Sequence, residues 1–567
     1  MNGMPLNLAT PAVSGPPDTM PDISRSLRWR DWSDGRMEAR QRGVPILAFA
    51  EPRWSNSAQR LAYVLERDDE LQDVLQARVV PVLVDWTERP DLAARWRWAA
   101  VVLTGTSGPP LTILLTPDGE PMLVYPGMQY EGDDLLPSLG SLITATADAY
   151  AENAAAFDAE ARSLGQADAR NAGDVAGFPA FWAGLQPDLD MVRGGLHESP
   201  RHPHPQLLWT ALDHVVSVAA KEVVGWVTAT LRHMADGGIN DHLDRGFHRC
   251  SRDERWVVPH FEKPVPLNAQ LTAVYARAGH ELDHPEFTEL AQALATFCMT
   301  ALRENVDCVG SNSPYYTWTS KELLDGLNVD EVQPMSLHFG IGPSPLRQVV
   351  HHAVPVERLD QYSREDLEVL RARVERGRKH MLTLRQQRPA PELVTMGGWS
   401  WRAETLRWLF VASEWLPGLE LGRLQELLAI ALDSGMDPQR GYVRADGNAW
   451  LEDQAALLGA MVAAGRKVNH DEWHQRARAL ADAVVQAYRV EDGWCDRAGD
   501  DVTSKAIVDD ILPAPIATLT ASLVALDAPD NRYTTIARTQ ASPYRSAASM
   551  VGPRGAAFWR SWATTAL

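Results

Sequence analysis

The sequence predicts a multidomain protein in which a small α/β domain precedes an all-α body. The chain has 567 residues, which is too long for one hydrophobic core. Before about residue 145, short β-type runs alternate with helical segments, and beyond it Ala-rich amphipathic segments replace the strands. We therefore expect a disordered lead-in at 1–24, the α/β domain at 25–150 and the helical body at 175–567.

Two apolar runs in the α/β domain have the composition of buried strands. Residues 44–50 follow Gly43, and residues 79–84 end at Asp85. A polar helical stretch, 57–76, separates them. Further along, the apolar runs 111–115 and 122–125 flank a Thr-Pro-Asp-Gly turn, which predicts a β-hairpin.

The helical body consists of apolar-faced segments that end in polar or glycine-containing turns. The predicted helices lie at about 207–234, 268–280, 285–305, 364–387, 402–414 and 454–465. Gly238, Gly441 and Gly493 each precede a large apolar residue, and we expect such glycines to be helix C-caps. A chain of helical hairpins closed into a ring would bury so many one-sided helices.

The overall charge argues against two classes of partner. The formal net charge of −20 disfavours nucleic acid and anionic membranes, which are themselves polyanions. No apolar stretch is long enough to span a membrane, and the N-terminal residues lack the pattern of a signal peptide. The expected location is cytoplasmic.

The cysteines indicate buried free thiols in a reducing compartment. Cys250, Cys298, Cys308 and Cys495 form no C-x-x-C pair, and no cysteine occurs in the first 249 residues. The 20 tryptophans serve equally well as core fillers and as platforms for sugar rings, and helical spacing favours core packing for most of them.

The densest group of ionisable and aromatic residues lies at 246–263, a segment with little helical or strand periodicity. Such a loop either forms a binding or catalytic site or clamps two helices through salt bridges. The catalytic candidates are His248, Glu254, His260 and Glu262. The ligand-binding candidates in the same segment are Arg249, Asp253, Arg255 and Trp256.

Three further ligand-binding candidates lie outside this segment, namely Trp318, Trp399 and Asp453. Glu452 and Asp453 are adjacent on a predicted helix, so only one of them would face a given pocket, unless they are merely first-turn acids.

No metal site is expected. His260-Phe261-Glu262 matches the H-x-E of zinc deaminases without their P-C-x-x-C, and His202, His204, His351 and His352 lack partners at ligand spacing. No Gly-rich phosphate loop occurs, so no cofactor is expected either.

One long string carries a family resemblance. It runs through 234–239, 246–249, 253–256, 258–263 and 268–271, with further matches at 84–91, 115–119 and 316–319. The chain resembles the thioredoxin-domain-containing family related to spermatogenesis-associated protein 20. The resemblance implies a thioredoxin-like domain joined to an (α/α)6 toroid similar to N-acylglucosamine 2-epimerases and six-hairpin glycosidases, and hence a link to carbohydrate metabolism.

The chain departs from the family pattern in both domains. Where the family has a C-H-W-C-type motif, this sequence has Trp54 to Ser57, while Pro110 matches the proline that is cis beside a thioredoxin active site. Serine cannot replace either thiol in disulfide exchange. Polar motifs of the toroid are also altered, at 264–267, 308–313, 398–401 and 513–517, which fits a pseudoenzyme.

Three functions remain open at this stage. The first is a redox-inactive protein that binds a sugar-like small molecule or acts in regulation. The second is a sugar epimerase, isomerase or glycosidase-like enzyme that uses the loop from His248 to Glu262. The third is a scaffold for a protein partner.

Overall fold

The computed structural model describes residues 28–52, 55, 68–105, 111–125, 136–165, 178–218, 221–433, 435–468, 471–526 and 531–565. The described chain divides into two compact units. Unit one contains residues 187–395 and 412–419, and unit two contains the other described residues. Unit two therefore combines the α/β region with the C-terminal helices. The domain boundaries expected from the sequence stay a prediction.

The α/β region of unit two is built on a four-stranded mixed sheet. The strands are β1 (Ile46–Ala50), β2 (Val80–Val84), β3 (Leu111–Leu115) and β4 (Pro121–Tyr125). Their order in the sheet is β2-β1-β3-β4, with β1 parallel to β2 and antiparallel to β3. Gly119, at φ 91°, closes the predicted β3–β4 hairpin by donating its N–H to the Thr116 carbonyl.

Alternating side chains of the strands bury both faces of this sheet. Ile46, Ala48 and Ala50 pack with α1 (Trp32–Arg42) and α3 (Pro90–Thr104). Leu47 and Phe49 point to the other face, against α2 (Asp69–Arg78) and α4 (Leu136–Gly165). Alternate residues of β1 thus point to opposite faces of the sheet, and helices cover both faces, as the fully apolar strand predicts.

The remaining elements are mostly helices. Unit two adds α5 (Phe178–Leu185), α14 (Ser400–Ala412), α15 (Leu421–Ala431), α16 (Leu451–Val468), α17 (Asp471–Ala487), α18 (Pro515–Leu526), α19 (Arg532–Ala541), α20 (Arg545–Met550) and α21 (Ala556–Thr564). Unit one contains α6 (Pro205–Val218), α7 (Lys221–Asp236), α8 (Val265–Glu281), α9 (Pro285–Arg303), α10 (Ser313–Tyr316), α11 (Ser320–Gly326), α12 (Val329–Phe339) and α13 (Leu367–Arg385). The predicted fold class, an α/β domain followed by a helical body, is confirmed.

Two local predictions for the helical body are wrong. Strands do occur after residue 145, as two-residue pairs: unit one has β5 (Cys250–Ser251), β6 (Pro259–His260), β7 (Lys263–Pro264), β8 (Cys308–Val309), β9 (Thr317–Trp318), β10 (Gln348–Val349) and β11 (Leu393–Val394), and unit two has β12 (Arg489–Val490) and β13 (Gly493–Trp494). Gly441 and Gly493 are not helix C-caps. Gly441, at φ 79°, forms an isolated bridge with Asp437, and Gly493, at φ 129°, begins β13; both backbone angles favour glycine.

Among the described residues, no helix is both long and apolar enough to cross a membrane.

Candidate functional site

The predicted loop at 246–263 is held together by backbone pairing. β5 pairs with β6 in antiparallel register, with Cys250 opposite His260. The Asn268 side chain closes the loop onto α8, since its amide oxygen accepts the N–H of Phe247 at 2.6 Å and its amide nitrogen donates to the Phe247 carbonyl at 3.0 Å. The loop is therefore an ordered part of unit one.

A buried ionic cluster lies beneath this loop. One oxygen of Asp241 accepts from Lys263 Nζ at 2.6 Å, and the other accepts from Arg385 Nη1 at 2.8 Å. Burial opposes ionisation of Asp241, but the Arg385 and Lys263 cations hold the pKa of this carboxyl well below its ordinary value. The guanidinium of Arg385 also lies over the Tyr316 ring. The cluster is internally paired.

His248 is not placed for proton transfer. Its side chain is 2% exposed, and its Nδ1 lies 3.0 Å from the Phe261 carbonyl. Burial, with Lys263 nearby, lowers the pKa of His248 to about 3, so the imidazole is neutral at ordinary pH. The cavity that it lines, together with Asp241 and Tyr316, has room for about one water molecule. A sugar ring does not fit there.

The other predicted catalytic residues are not brought together with His248 around an open pocket. Glu262 is buried opposite Arg249, at 3.5 Å between carboxylate and guanidinium. His260 is partly exposed on β6, and Glu254 is an exposed partner of Arg193. Glu262 thus belongs to a buried ion pair, whereas Glu254 lies at the surface and His260 is partly exposed.

Two of the predicted ligand-binding residues of this segment, Asp253 and Trp256, make internal contacts. The Asp253 carboxylate accepts the N–H groups of Arg255 at 2.8 Å and Val257 at 3.2 Å, and so closes the tip of the loop. The Arg255 side chain is exposed. Trp256 is fully buried, and its indole N–H donates to the Arg193 carbonyl at 3.1 Å.

Trp318 is also a core residue. It is 1% exposed, and the guanidinium of Arg388 stacks 3.8 Å from the centre of its ring. A ring covered in this way by a cation is not open to a sugar.

Unit two contains a second polar group, at the start of α16. Asp453 is fully buried and accepts from Arg444 Nε at 2.6 Å and from the N–H groups of Trp399 at 2.8 Å and Ser400 at 3.0 Å. Those two N–H groups begin α14, so the carboxylate acts as its N-terminal cap. Asp453 therefore orients Trp399, which is partly exposed, and is not itself open to a ligand.

The adjacent acid, Glu452, is partly exposed and belongs to an acid cluster that we define as Asp91, Glu452 and Asp496. Burial raises the pKa of Asp496 to about 8. The nearby charges of Asp91 and Glu452 also raise this pKa, whereas the hydrogen bond that Ser504 donates lowers it. Burial also raises the pKa of Glu452, which accepts from Ser400 Oγ at 2.8 Å. At neutral pH, Asp496 is thus protonated, and the residue as a whole is partly exposed.

The acid cluster lies where the α/β region meets the C-terminal helices within unit two. Arg444 Nη1 donates to the Thr87 carbonyl at 2.7 Å, and Arg97 of α3 lies 3.6 Å from Asp510. Thr87 follows β2, and the N–H of Glu51, which follows β1, donates to the Val84 carbonyl. Because β1 and β2 are parallel, the residues after both strands leave the sheet at this same edge.

The four thiols of the chain lie in its interior. Cys250, Cys298, Cys308 and Cys495 are free and buried. Burial raises the pKa of Cys250 and Cys495 to about 11 and that of Cys298 to about 12, and it raises the pKa of Cys308 as well. None is a thiolate at neutral pH. The predicted degenerate motif, Trp54 and Ser57 with Pro110, lies outside the described residues.

Sequence reasoning missed Asp241, Lys263, Arg385 and Asp496. A signal for some of them exists. Asp241, Arg444 and Asp496 each stand three residues after the turn glycines Gly238, Gly441 and Gly493. The turn therefore places a polar side chain at a repeated position, which a comparison of the turns could have revealed.

Sequence reasoning also missed the partner of two histidines. The expectation that His202 and His204 lack a partner of ligand type is wrong, because Glu198 lies between them in unit one. The acid sits four residues before His202, a spacing that was not considered.

Parts of the chain are similar to known proteins. Residues 20–167 match the family model Thioredox_DsbH, described as "Protein of unknown function, DUF255". An uncharacterized protein of Caenorhabditis elegans is 22% identical over 89% of this chain and 78% of its own length. Spermatogenesis-associated protein 20 of Homo sapiens is 25% identical over 64% of this chain, and that of Rattus norvegicus is 25% identical over 52%.

The chain is similar in sequence to spermatogenesis-associated protein 20. It spans only 53% of the human protein and 41% of the rat protein. Among solved structures, cellobiose 2-epimerase from Bacillus thermoamylovorans B4167 is similar at 10% identity and a TM-score of 0.41, over 65% of this chain and 84% of its own. D-mannose isomerase is similar at 11% identity and a TM-score of 0.39, with the same coverage.

Proposed function

We propose that this chain is a redox-inactive thioredoxin-like protein that binds a sugar-like ligand at the acid cluster of unit two. The observation that carries the proposal is Asp496, a partly exposed residue whose carboxyl pKa is raised by burial to about 8. Ionisable groups whose pKa is shifted this far concentrate at functional sites. A cytoplasmic location belongs to the same proposal, because buried free thiols suit a reducing compartment.

The chemistry around Asp496 suits a polyhydroxylated ligand. A protonated carboxyl both donates and accepts hydrogen bonds, so Asp496 offers both kinds of group to sugar hydroxyls. Arg97, whose charge acts on Glu452, adds a donor near the cluster. Trp399, next to Ser400 and partly exposed, offers an apolar ring face of the kind on which sugars stack.

The burial of the thiols supports a structural role for the thioredoxin-like region. In disulfide exchange the attacking group is a thiolate, and every thiol of the chain is buried with a raised pKa. The sheet edge that follows β1 and β2 is instead engaged with Arg444. The region thus forms one side of the acid cluster, to which it contributes Asp91.

A second candidate function is favoured by the same observation. A carboxyl that keeps its proton at neutral pH can act as a general acid toward a glycosidic or ring oxygen. An epimerase or glycosidase-like reaction would then use Asp496 and Glu452. His248 and Glu262 are buried in internal contacts and do not support the reaction proposed for them from the sequence.

Ligand-observed NMR with cellobiose and D-mannose tests the proposal. We expect saturation transfer to at least one sugar in the wild-type protein and its loss in Asp496→Asn and Glu452→Gln. Glu426→Gln is the matched control, because Glu426 is an exposed acid paired with Arg423 away from the cluster. Turnover of a bound sugar would select the enzyme over the binding protein. Binding that persists in both cluster variants would refute the site, and so would binding of neither sugar.

A further inference from the structure

A short segment of unit one brings one acid and two histidines into contact. Glu198 Oε1 lies 2.7 Å from His204 Nε2 and 3.2 Å from His202 Nδ1, and it also accepts the backbone N–H of His202 at 2.8 Å. The segment lies between the Leu189–Leu196 bridge and the start of α6. Both imidazole rings therefore contact the same carboxylate oxygen, Oε1 of Glu198.

We propose that Glu198, His202 and His204 form a binding site for Zn²⁺. Their ligand atoms all lie within 4.8 Å of one another. Two imidazole nitrogens and one carboxylate are a donor set that zinc uses in proteins, with bonds of about 2.0–2.2 Å to tetrahedrally arranged ligands. Donor atoms are then about 3.3–3.5 Å apart. The Glu198–His202 distance of 3.2 Å nearly meets this, and the Glu198–His204 distance of 2.7 Å must increase by roughly 0.6–0.8 Å.

The backbone around these ligands is held in place. Between Glu198 and His202, Arg201 exchanges two backbone hydrogen bonds with Ser251, at 2.7 and 2.8 Å. Its guanidinium is 1% exposed and pairs with Asp190 at 3.0 Å and the Gly194 carbonyl at 2.8 Å. The ligands therefore flank an anchored residue, which limits the ordering that an ion would have to impose.

The backbone of His204 points to the same site. His204 has φ 44°, in the left-handed region that residues other than glycine rarely adopt. Its carbonyl accepts the N–H of Leu208 in the first turn of α6. Such a conformation persists only where its surroundings impose it, and it is found most often at functional sites. Here the turn coincides with the contact between the His204 imidazole and Glu198.

The site is accessible to an ion. The side chains of Glu198, His202 and His204 are 23%, 13% and 9% exposed. Three protein ligands at a surface leave the fourth position of a tetrahedral ion for water. The alternative is a purely structural role, in which hydrogen bonds among the three residues fix the segment before α6 without a metal ion. The two differ in whether one equivalent of zinc binds.

Zinc titration of the full chain, without an affinity tag and after treatment with a chelator, tests the proposal. We expect one tight equivalent by calorimetry, and Co²⁺ in place of zinc should give the intense visible bands of a tetrahedral ion. His202→Ala and His204→Ala should each weaken zinc binding at least tenfold. Replacing residues that merely support metal ligands already lowers the affinity by about 10- to 100-fold. Glu198→Gln should do the same while keeping the size of the side chain.

The control is His197→Ala, because His197 is an exposed histidine next to Glu198 that is not part of the group. Its affinity for zinc should equal that of the wild type. Equal affinity in the wild type and in all three ligand variants would overturn the proposal, and so would the absence of a stoichiometric wild-type site. If circular dichroism shows that the alanine variants are unfolded, Glu198→Gln decides. The outcome is independent of sugar binding, which involves unit two.

Discussion

Arg444 Nη1 donates to the carbonyl oxygen of Thr87 at 2.7 Å, a contact between residues separated by 357 positions. The same guanidinium pairs with the buried carboxylate of Asp453. One arginine therefore links the thioredoxin-like sheet edge to the start of α14 and stands beside Glu452. The acid cluster therefore contains residues from both the α/β region and the C-terminal helical part of unit two.

Replacing Arg444 with alanine should strongly destabilise unit two. The substitution leaves Asp453 buried without its cation, and breaking a buried pair in this way costs about 3–5 kcal/mol. Urea denaturation measures the effect. The matched control is Arg423→Ala, because Arg423 pairs with Glu426 at the surface, where the loss is about 0–1 kcal/mol. Similar losses for the two variants would contradict the role assigned to Arg444.

Asp496→Asn should change how stability depends on pH. Folded Asp496 keeps its proton up to about pH 8, whereas the ordinary pKa of the carboxyl is 3.8. Between these values the unfolded state binds fewer protons, so the free energy of unfolding falls as the pH rises. The contribution of this group is full below about pH 4 and is lost as the pH rises through the folded pKa of about 8.

The asparagine variant has no proton to lose at this position. Relative to the wild type, it should therefore gain roughly 1–3 kcal/mol between pH 4 and pH 8, allowing for water at the partly exposed side chain. Denaturation curves for both proteins at a series of pH values give this difference. A constant difference across the range would show that Asp496 titrates normally.

Asp241→Asn should be far more damaging than Glu254→Gln. The first change leaves Lys263 and Arg385 buried without a counterion and should cost about 3–5 kcal/mol. Glu254 is 69% exposed opposite Arg193, so its replacement should have almost no effect on stability. Thermal and urea unfolding measure both variants, and sugar binding should be unchanged in Glu254→Gln. A binding defect in that variant would restore the loop as a ligand site.

The thiols should react slowly in the native protein. Cys250, Cys298, Cys308 and Cys495 are buried with raised pKa values, so they offer little thiolate to an aromatic disulfide reagent at pH 7. Unfolding in guanidinium should release all four at once. Reduction of insulin disulfides should not exceed the rate without protein. Rapid labelling of any native thiol, or measurable insulin reduction, would contradict the redox-inactive account.

The elements of the fold could be predicted because their signals are local. The fully apolar runs of β1 and β2 and the turn that ends at Gly119 identify strands without any knowledge of their partners. The helices follow from periodicity over a dozen or more residues, as in α8 and α9. Two-residue strands such as β5 and β6 carry no such pattern and were missed.

The candidate site could not be predicted in the same way, since its contacts join distant positions. Arg385 donates a hydrogen bond to Asp241, which lies 144 positions away in the sequence, and no local pattern near either residue indicates this contact. The density of charge at 246–263 indicated an important loop but could not separate internal pairing from catalysis. Asp453 was singled out, while its neighbour Glu452 is the one that joins the acid cluster. A helix offset of about 100° decides between them, and only the fold sets its direction.

Carboxyl titration by ¹³C NMR, with aspartate labelled and Asp496→Asn used for assignment, tests the central claim most directly. The account predicts one resonance that titrates near pH 8, disappears in the variant and shifts when cellobiose or D-mannose is added to the wild-type protein. A midpoint near pH 4 for Asp496, with no response to either sugar, would contradict it.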